Sequence, residues 1–235
     1  MLYGKSMPLI KSLFGLALAA CLVTAIGLAG LAAPSPSPSP SPNVDTIIEM
    51  VLHRNPGLRS YQAHAQLDVR QVNFPYLHPV LDGKVYYNSP GYTVYDFPHT
   101  PSYLQGITKV EGAVGMATRW RHCYNITLEV RPDVYVLHMV PKIRGEVSEM
   151  VVHIDKKSGN QLFFDWSYHN VGDSVQLWQT YSMVGGYDVV TAQAADIHKH
   201  HIRAKAVGNF DSFQFNVPVP TPTPTPTDPL HQCDN

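Results

Sequence analysis

From Tyr61 onward the hydropathy of this chain has a period of two, and the period returns in run after run, which commits the chain to a sheet-rich fold. In the first run Tyr61, Ala63, Ala65, Leu67 and Val69 alternate with Gln62, His64, Gln66, Asp68 and Arg70. That is the pattern of a strand with one face buried and one in water. A second run sets Trp120, His122, Tyr124, Ile126, Leu128 and Val130 against Arg119, Arg121, Cys123, Asn125, Thr127, Glu129 and Arg131, and predicts one long strand from Arg119 to Arg131. Further strands are predicted at Val80 to Tyr87, Tyr92 to Phe97, Val134 to Val140, Glu146 to Asp155, Gln161 to His169, Ser174 to Met183, Tyr187 to Ala194, Ile197 to Ala206 and Phe210 to Val217. Short turns such as Lys156-Lys157-Ser158-Gly159-Asn160 and Gly172-Asp173 separate several of them, so the connections read as hairpins and the sheet as antiparallel.

Ahead of the strands, Asn43 is placed to cap a helix whose apolar residues Val44, Ile47, Ile48, Val51 and Leu52 share one face, and Asn55-Pro56-Gly57 ends it. Pro98 to Gly115 is the one long irregular stretch, with Ser102 to Val110 as a candidate short helix or lid. One helix and about ten or eleven meandering strands are more sheet than can stay flat. The expected class is α+β: a strongly curved antiparallel sheet, closed or left as a half-barrel under helices, around a core or a ligand cavity.

The ends of the chain are of another kind. Ser12 to Ala33 carries no charge and follows Lys5 and Lys11, as an export signal does. Three readings stay open: a signal cleaved after Gly30-Leu31-Ala32, an uncleaved membrane anchor, or a lipobox Leu18-Ala19-Ala20-Cys21 with Cys21 lipidated. The apolar run continues well beyond Cys21, which favours the first two over lipidation. All three put the domain outside the cytoplasm, in the periplasm or cell envelope. Alternating prolines fill Pro34 to Pro42 and Pro218 to Thr227, and favour extended polyproline II spacers. The organisation is thus 1–33 signal or anchor, 34–42 linker, 43–217 folded domain and 218–235 a Pro/Thr-rich disordered tail. Outside the export segment there remain Cys123 and Cys233. They could pair in an oxidising compartment, but a semi-buried Cys123 and a loose Cys233 are the favoured expectation.

Several chemistries find no support. The formal net charge is −1, and two of the basic residues lie in the export segment, so a nucleic-acid footprint is not expected. The chain lacks Gly-x-Ser-x-Gly, Walker A and Gly-x-Gly-x-x-Gly motifs, and no cofactor is implied. His198 and His200 would share one face of a strand, which invites a metal. No HExxH or CxxC accompanies them, however, and Lys199, Arg203 and Lys205 would repel a cation. An enzyme is not expected; it would need His64, His122, His138 or His153 to meet a carboxylate in a cavity.

The stretches Asn55-Pro56-Gly57-Leu58-Arg59-Ser60-Tyr61, Phe74-Pro75 and Gly83-Lys84-Val85-Tyr86-Tyr87-Asn88-Ser89-Pro90-Gly91 resemble the first third of LolA-like bacterial lipoprotein-sorting proteins. Val152-His153-Ile154-Asp155, Gly185-Gly186-Tyr187 and Gly208-Asn209-Phe210 with Phe213 and Phe215 continue the likeness over most of Asn43 to Val217. The resemblance implies an unclosed barrel with a helical lid, a hydrophobic cavity for the acyl chains of a lipid or lipoprotein, and no catalysis. Candidate cavity residues are Tyr61, Leu67, Val85, Tyr87, Trp120, Tyr124, Ile126, Val136, Phe164 and Trp166. Period two shows which of these share a face but not which face is concave. The expected protein is a monomer that binds acyl chains, with membrane attachment through the N-terminus as an open alternative to a free carrier. The competing expectation is an envelope module of the same fold, its barrel filled by its own side chains, that binds a protein partner.

Overall fold

A computed structural model describes residues 42–74, 76–89, 92–101, 117–200, 202–220 and 233. The candidate export signal or anchor at 1–33 and the candidate lid at Ser102 to Val110 lie outside the described residues. Helix α1 spans Val44–Leu52 and helix α2 spans Ala117–Cys123. The strands are β1 (Ser60–Gln71), β2 (Val80–Asn88), β3 (Tyr92–Asp96), β4 (Tyr124–Val130), β5 (Val134–Pro141), β6 (Val147–Asp155), β7 (Gln161–Tyr168), β8 (Ser174–Val184), β9 (Tyr187–Lys199) and β10 (Ile202–Phe215). They form one 10-stranded sheet in the order β3-β2-β1-β10-β9-β8-β7-β6-β5-β4. Every neighbouring pair is antiparallel. Strands β3 and β4 are the two edges of this order and do not pair with each other, so the barrel is not closed.

Helix α1 forms for local reasons first: the Asn43 side chain accepts a bond from the Thr46 amide at 2.8 Å, satisfying one free N–H of the first turn. Tertiary burial then holds it, because Ile47, Ile48 and Val51 point onto the concave face of the sheet and are buried. Burial of such side chains stabilises by about 1.5–3 kcal/mol each. The same core takes Ala117, Trp120 and Cys123 from α2, with Leu67 and Val85 from one side of the sheet and Leu137, Val152, Phe164 and Leu177 from the other. Between the helices, Arg121 donates from Nε to Asp45 Oδ1 (2.6 Å) and from Nη1 to Glu49 Oε1 (2.9 Å).

Three expectations need correction. The predicted long strand Arg119 to Arg131 is helix α2 followed by a shorter β4, since Ala117, Trp120 and Cys123 also fall at helical spacing and it is these that are buried. The predicted strands Ile197 to Ala206 and Phe210 to Val217 are redistributed. Ile197 ends its run in β9, the chain turns at His200, whose φ is 55°, and β10 continues unbroken to Phe215. The His200 amide donates to Asp173 Oδ1 at 2.8 Å, so His198 and His200 do not share a strand face. Finally, Cys123 and Cys233 are joined in a disulfide, across a sequence separation of 110 residues. The favoured unpaired reading failed because nothing in a proline-rich spacer says where the residues beyond it return.

Candidate functional site

The concave face is not uniformly apolar. Where the end of α1 overhangs β1, β2 and β7 to β9, it leaves a pocket of about 60 Å³. Val51, Leu52 and Arg54 form its roof with Ala117 of α2, and Tyr61, Val85, Tyr87 and Phe210 form one wall. The opposite wall is polar: Gln161 of β7, Gln179 and Tyr181 of β8, and Gln193 of β9.

Strand irregularities explain how these residues come to face inward together. The β6/β7 register passes from His153↔Phe163 to Ile154↔Gln161, leaving Leu162 as the extra residue of a bulge. Without it, Gln161 would point the same way as Phe163, to the convex side. In β9 the register passes from Thr180↔Ala192 to Tyr181↔Val190, so the extra residue Thr191 turns Val190 inward alongside Gln193. In β10 a shift beside Gln62 and His64 falls at Ser212, whose φ is 55°, and brings Phe213 and Phe215 to the same face as Phe210. Tyr61 then stacks on Tyr87 at 5.0 Å and meets Phe213 edge-on at 5.6 Å.

Arg54 is the one charged residue lining the pocket among the described residues. It is half-buried; its Nη1 donates to Asn160 Oδ1 at 3.2 Å, and the guanidinium lies 4.8 Å from the centre of the Tyr181 ring. Burial disfavours this cation, and the hydroxyl and ring of Tyr181 offset that penalty, so the guanidinium stays charged with its pKa above the ordinary value. Burial likewise pushes the Tyr61 and Tyr87 hydroxyls up, against the pull of Arg54, so both stay neutral. The Tyr181 hydroxyl donates to Gln179 Oε1 at 2.8 Å, and that of Tyr95 to Gln193 Oε1 at 3.3 Å. Gln161 is 6% exposed, and its Nε2 is buried with no hydrogen-bond partner.

Of the candidate cavity residues, Tyr61, Val85 and Tyr87 line the pocket. Leu67, Trp120, Tyr124, Ile126, Phe164 and Trp166 belong to the same apolar cluster but not to the pocket lining, and Trp120 reaches it from helix α2. Val136 pairs with Glu129 and His153 on the convex side, in a row continued by Phe163 and Trp178. Sequence reading missed Arg54, in the connection between α1 and β1, Gln179, Tyr181 and Gln193, which continue the buried faces of β8 and β9, and Gln161, for which the bulge at Leu162 would have been the signal. Of the four histidines considered, His138 meets Glu129 and Glu149 outside this pocket, and His64 meets Asp82 and Asp211 on the convex side, where His64 and Asp82 line a separate open cleft of about 470 Å³.

The architecture, an open antiparallel barrel under short helices, is shared with solved structures. A DUF1329 family protein from Desulfovibrio piger matches with a TM-score of 0.54 at 12% identity, over 75% of this chain and 95% of that one. A domain from Vibrio parahaemolyticus named for outer membrane lipoprotein sorting matches with a TM-score of 0.54 at 13% identity, over 74% of this chain and 92% of that one. At these identities the likeness is one of fold. No family model matches the sequence, and no curated protein matches it. Among the described residues no helix is long and apolar enough to cross a membrane.

Proposed function

We propose that this protein is an exported, non-enzymatic binding protein of the bacterial cell envelope. It takes the acyl chains of a lipid or lipoprotein into the hollow of its half-barrel, in a sorting or transport role. The observation that carries the reading is the roof: the apolar concave face is covered, among the described residues, by two short helices that share the core beneath them and whose polar link is the exposed Arg121 ion-pair set. Exposed pairs of that kind contribute about 0–1 kcal/mol.

The pocket of about 60 Å³ holds roughly two waters, whereas small-molecule sites run to about 300–1,000 Å³. An acyl chain therefore enters by displacing α1 or α2, not by filling space that is already open. The energetics allow it: about 0.8 kcal/mol per buried methylene offsets the loss of contacts from Ile47, Ile48 and Val51, each worth about 1.5–3 kcal/mol.

The same small volume favours a second reading, a filled barrel that binds a protein partner. Its surface would be the convex row in which Trp178, 44% exposed, lies beside Phe163 at 5.2 Å. Native mass spectrometry of protein purified from membranes, followed by lipid extraction and uptake of a fluorescent fatty acid, separates the two. Co-purifying acyl lipid or saturable uptake is the expected result. A clean apo mass with no uptake overturns the acyl-chain reading and leaves the partner-binding module.

A further inference from the structure

Arg54 lacks a counter-charge. Its partners are the Asn160 side-chain carbonyl and the ring and hydroxyl of Tyr181, neither of them anionic. Asn160 in turn donates to Asp188 Oδ2 at 2.5 Å, so the nearest carboxylate in this hydrogen-bond chain is one amide removed and already engaged. Among the described residues no carboxylate stands within ion-pair distance of Arg54. A cation set into a pocket without an anion, and a buried amide donor without an acceptor, are each unfavourable on their own. Here they line the same small pocket: Arg54 on its roof, and Gln161 Nε2 on the polar wall, where the Tyr181 hydroxyl lies 3.3 Å from the Gln161 carbonyl.

What completes both is an oxygen anion. A guanidinium fork and an amide N–H together match two oxygens of a planar group. A doubly charged phosphate would call for a second cation, and the pocket has one. About 60 Å³ admits a head group but not a chain. The polar end opens directly onto the aromatic wall of Tyr61, Tyr87 and Phe210, so a chain attached to that head group would lie along the concave face.

We propose that Arg54 and Gln161 form a receptor for the carboxylate of an amphiphilic ligand, such as a fatty acid. This rests on the acyl-binding reading and adds the head group that the site selects.

The test is calorimetric titration of the delipidated full chain with decanoate, decanol, decylamine, decyl phosphate and acetate. Decanoate is expected to bind about tenfold or more tightly than decanol, as one charge-assisted contact allows, with decylamine weakest. Arg54→Gln removes that preference, and Arg54→Lys, which keeps the charge but not the fork, retains part of it. Gln161→Leu lowers decanoate affinity several-fold while the thermal midpoint stays level or rises, because an orphaned donor has been removed; a structural glutamine would lower the midpoint instead.

Equal binding of decanoate and decanol overturns the carboxylate receptor and leaves the acyl reading standing, and tighter binding of decyl phosphate overturns the choice of carboxylate. Arg54-dependent acetate binding without any gain from a chain overturns the amphiphile receptor together with the acyl reading and leaves a bare carboxylate site. No binding of any probe removes both.

Discussion

Two histidines of the convex face answer acid in opposite ways. His64 lies 2.8 Å from Asp82 and 3.2 Å from Asp211, and the bond to Asp82, with Asp211 adding to it, raises the imidazole above its ordinary value. His153, packed on Phe163 at 4.9 Å, is lowered, chiefly by burial and further by Arg131. The contribution of His64 to stability is complete below the ordinary histidine pKa and fades as pH rises through its raised value. That of His153 is present above the ordinary value and is lost as pH falls through its depressed one. An NMR titration of the imidazole resonances should place His64 above, and His153 below, the midpoint of a denatured reference; a shared midpoint would refute the packing described for both. At this scale the sequence was legible in kind but not in phase. Tyr61, Val85 and Tyr87 proved to line the pocket, while Val136, equally apolar and fully buried, lies on the other face. Alternation says that neighbours oppose each other, and only the register of the next strand says which side is inside.

Among the elements, β2 and β3 depend on one small residue. A Cβ on Gly83 would stand 2.1 Å from the Asp96 carbonyl oxygen and 2.6 Å from Phe97 Cδ1, so no side chain fits while β3 keeps its place. Gly83→Ala should cost about 1–3 kcal/mol by overpacking, read as a lower urea midpoint. It should also weaken ligand uptake, because Thr93 and Tyr95 of β3 line the pocket. A wild-type midpoint would show that β3 is free to shift. Most strand spans could be read directly from their period, as at Val80, Val134, Gln161 and Ser174, where the predicted and observed strands begin at the same residue. The failures have a common cause. Bulges at Leu162, Thr191 and Ser212 break the period by one residue, and they are what turn Gln161, Val190 and the pair Phe213 and Phe215 inward. Within the polar wall it is Gln161 that hides where alternation misreads the face. The helical segment Ala117–Cys123 was concealed differently, since its residues satisfy two periods at once and tertiary burial chose between them.

For the molecule as a whole, the bond from Cys123 to Cys233 ties the end of α2 to a residue beyond the second proline tract. Closing a loop of 110 residues removes denatured-state entropy worth at most about 4–5 kcal/mol. The double variant Cys123→Ser/Cys233→Ser should unfold at a lower denaturant concentration than the oxidised protein, and non-reducing peptide mapping of the latter should recover the two cysteines in one linked pair. Equal midpoints would mean that the bond constrains little of the unfolded chain.

The sheet order has a temporal side. Strand β1 lies between β2, its neighbour in sequence, and β10, the last strand of the chain, with Tyr61 opposite Phe215 and Gln71 opposite Ala204. A chain that emerges from its N-terminus delivers β1, β2 and β3 first and the strand that joins them to the rest last. Until then the early hairpins have an open edge and must wait, which is the slow, non-local step of such topologies. The seam between β1 and β10 is therefore where nascent chains of this protein are most exposed to wrong partners, and where a chaperone would have its longest opportunity to act.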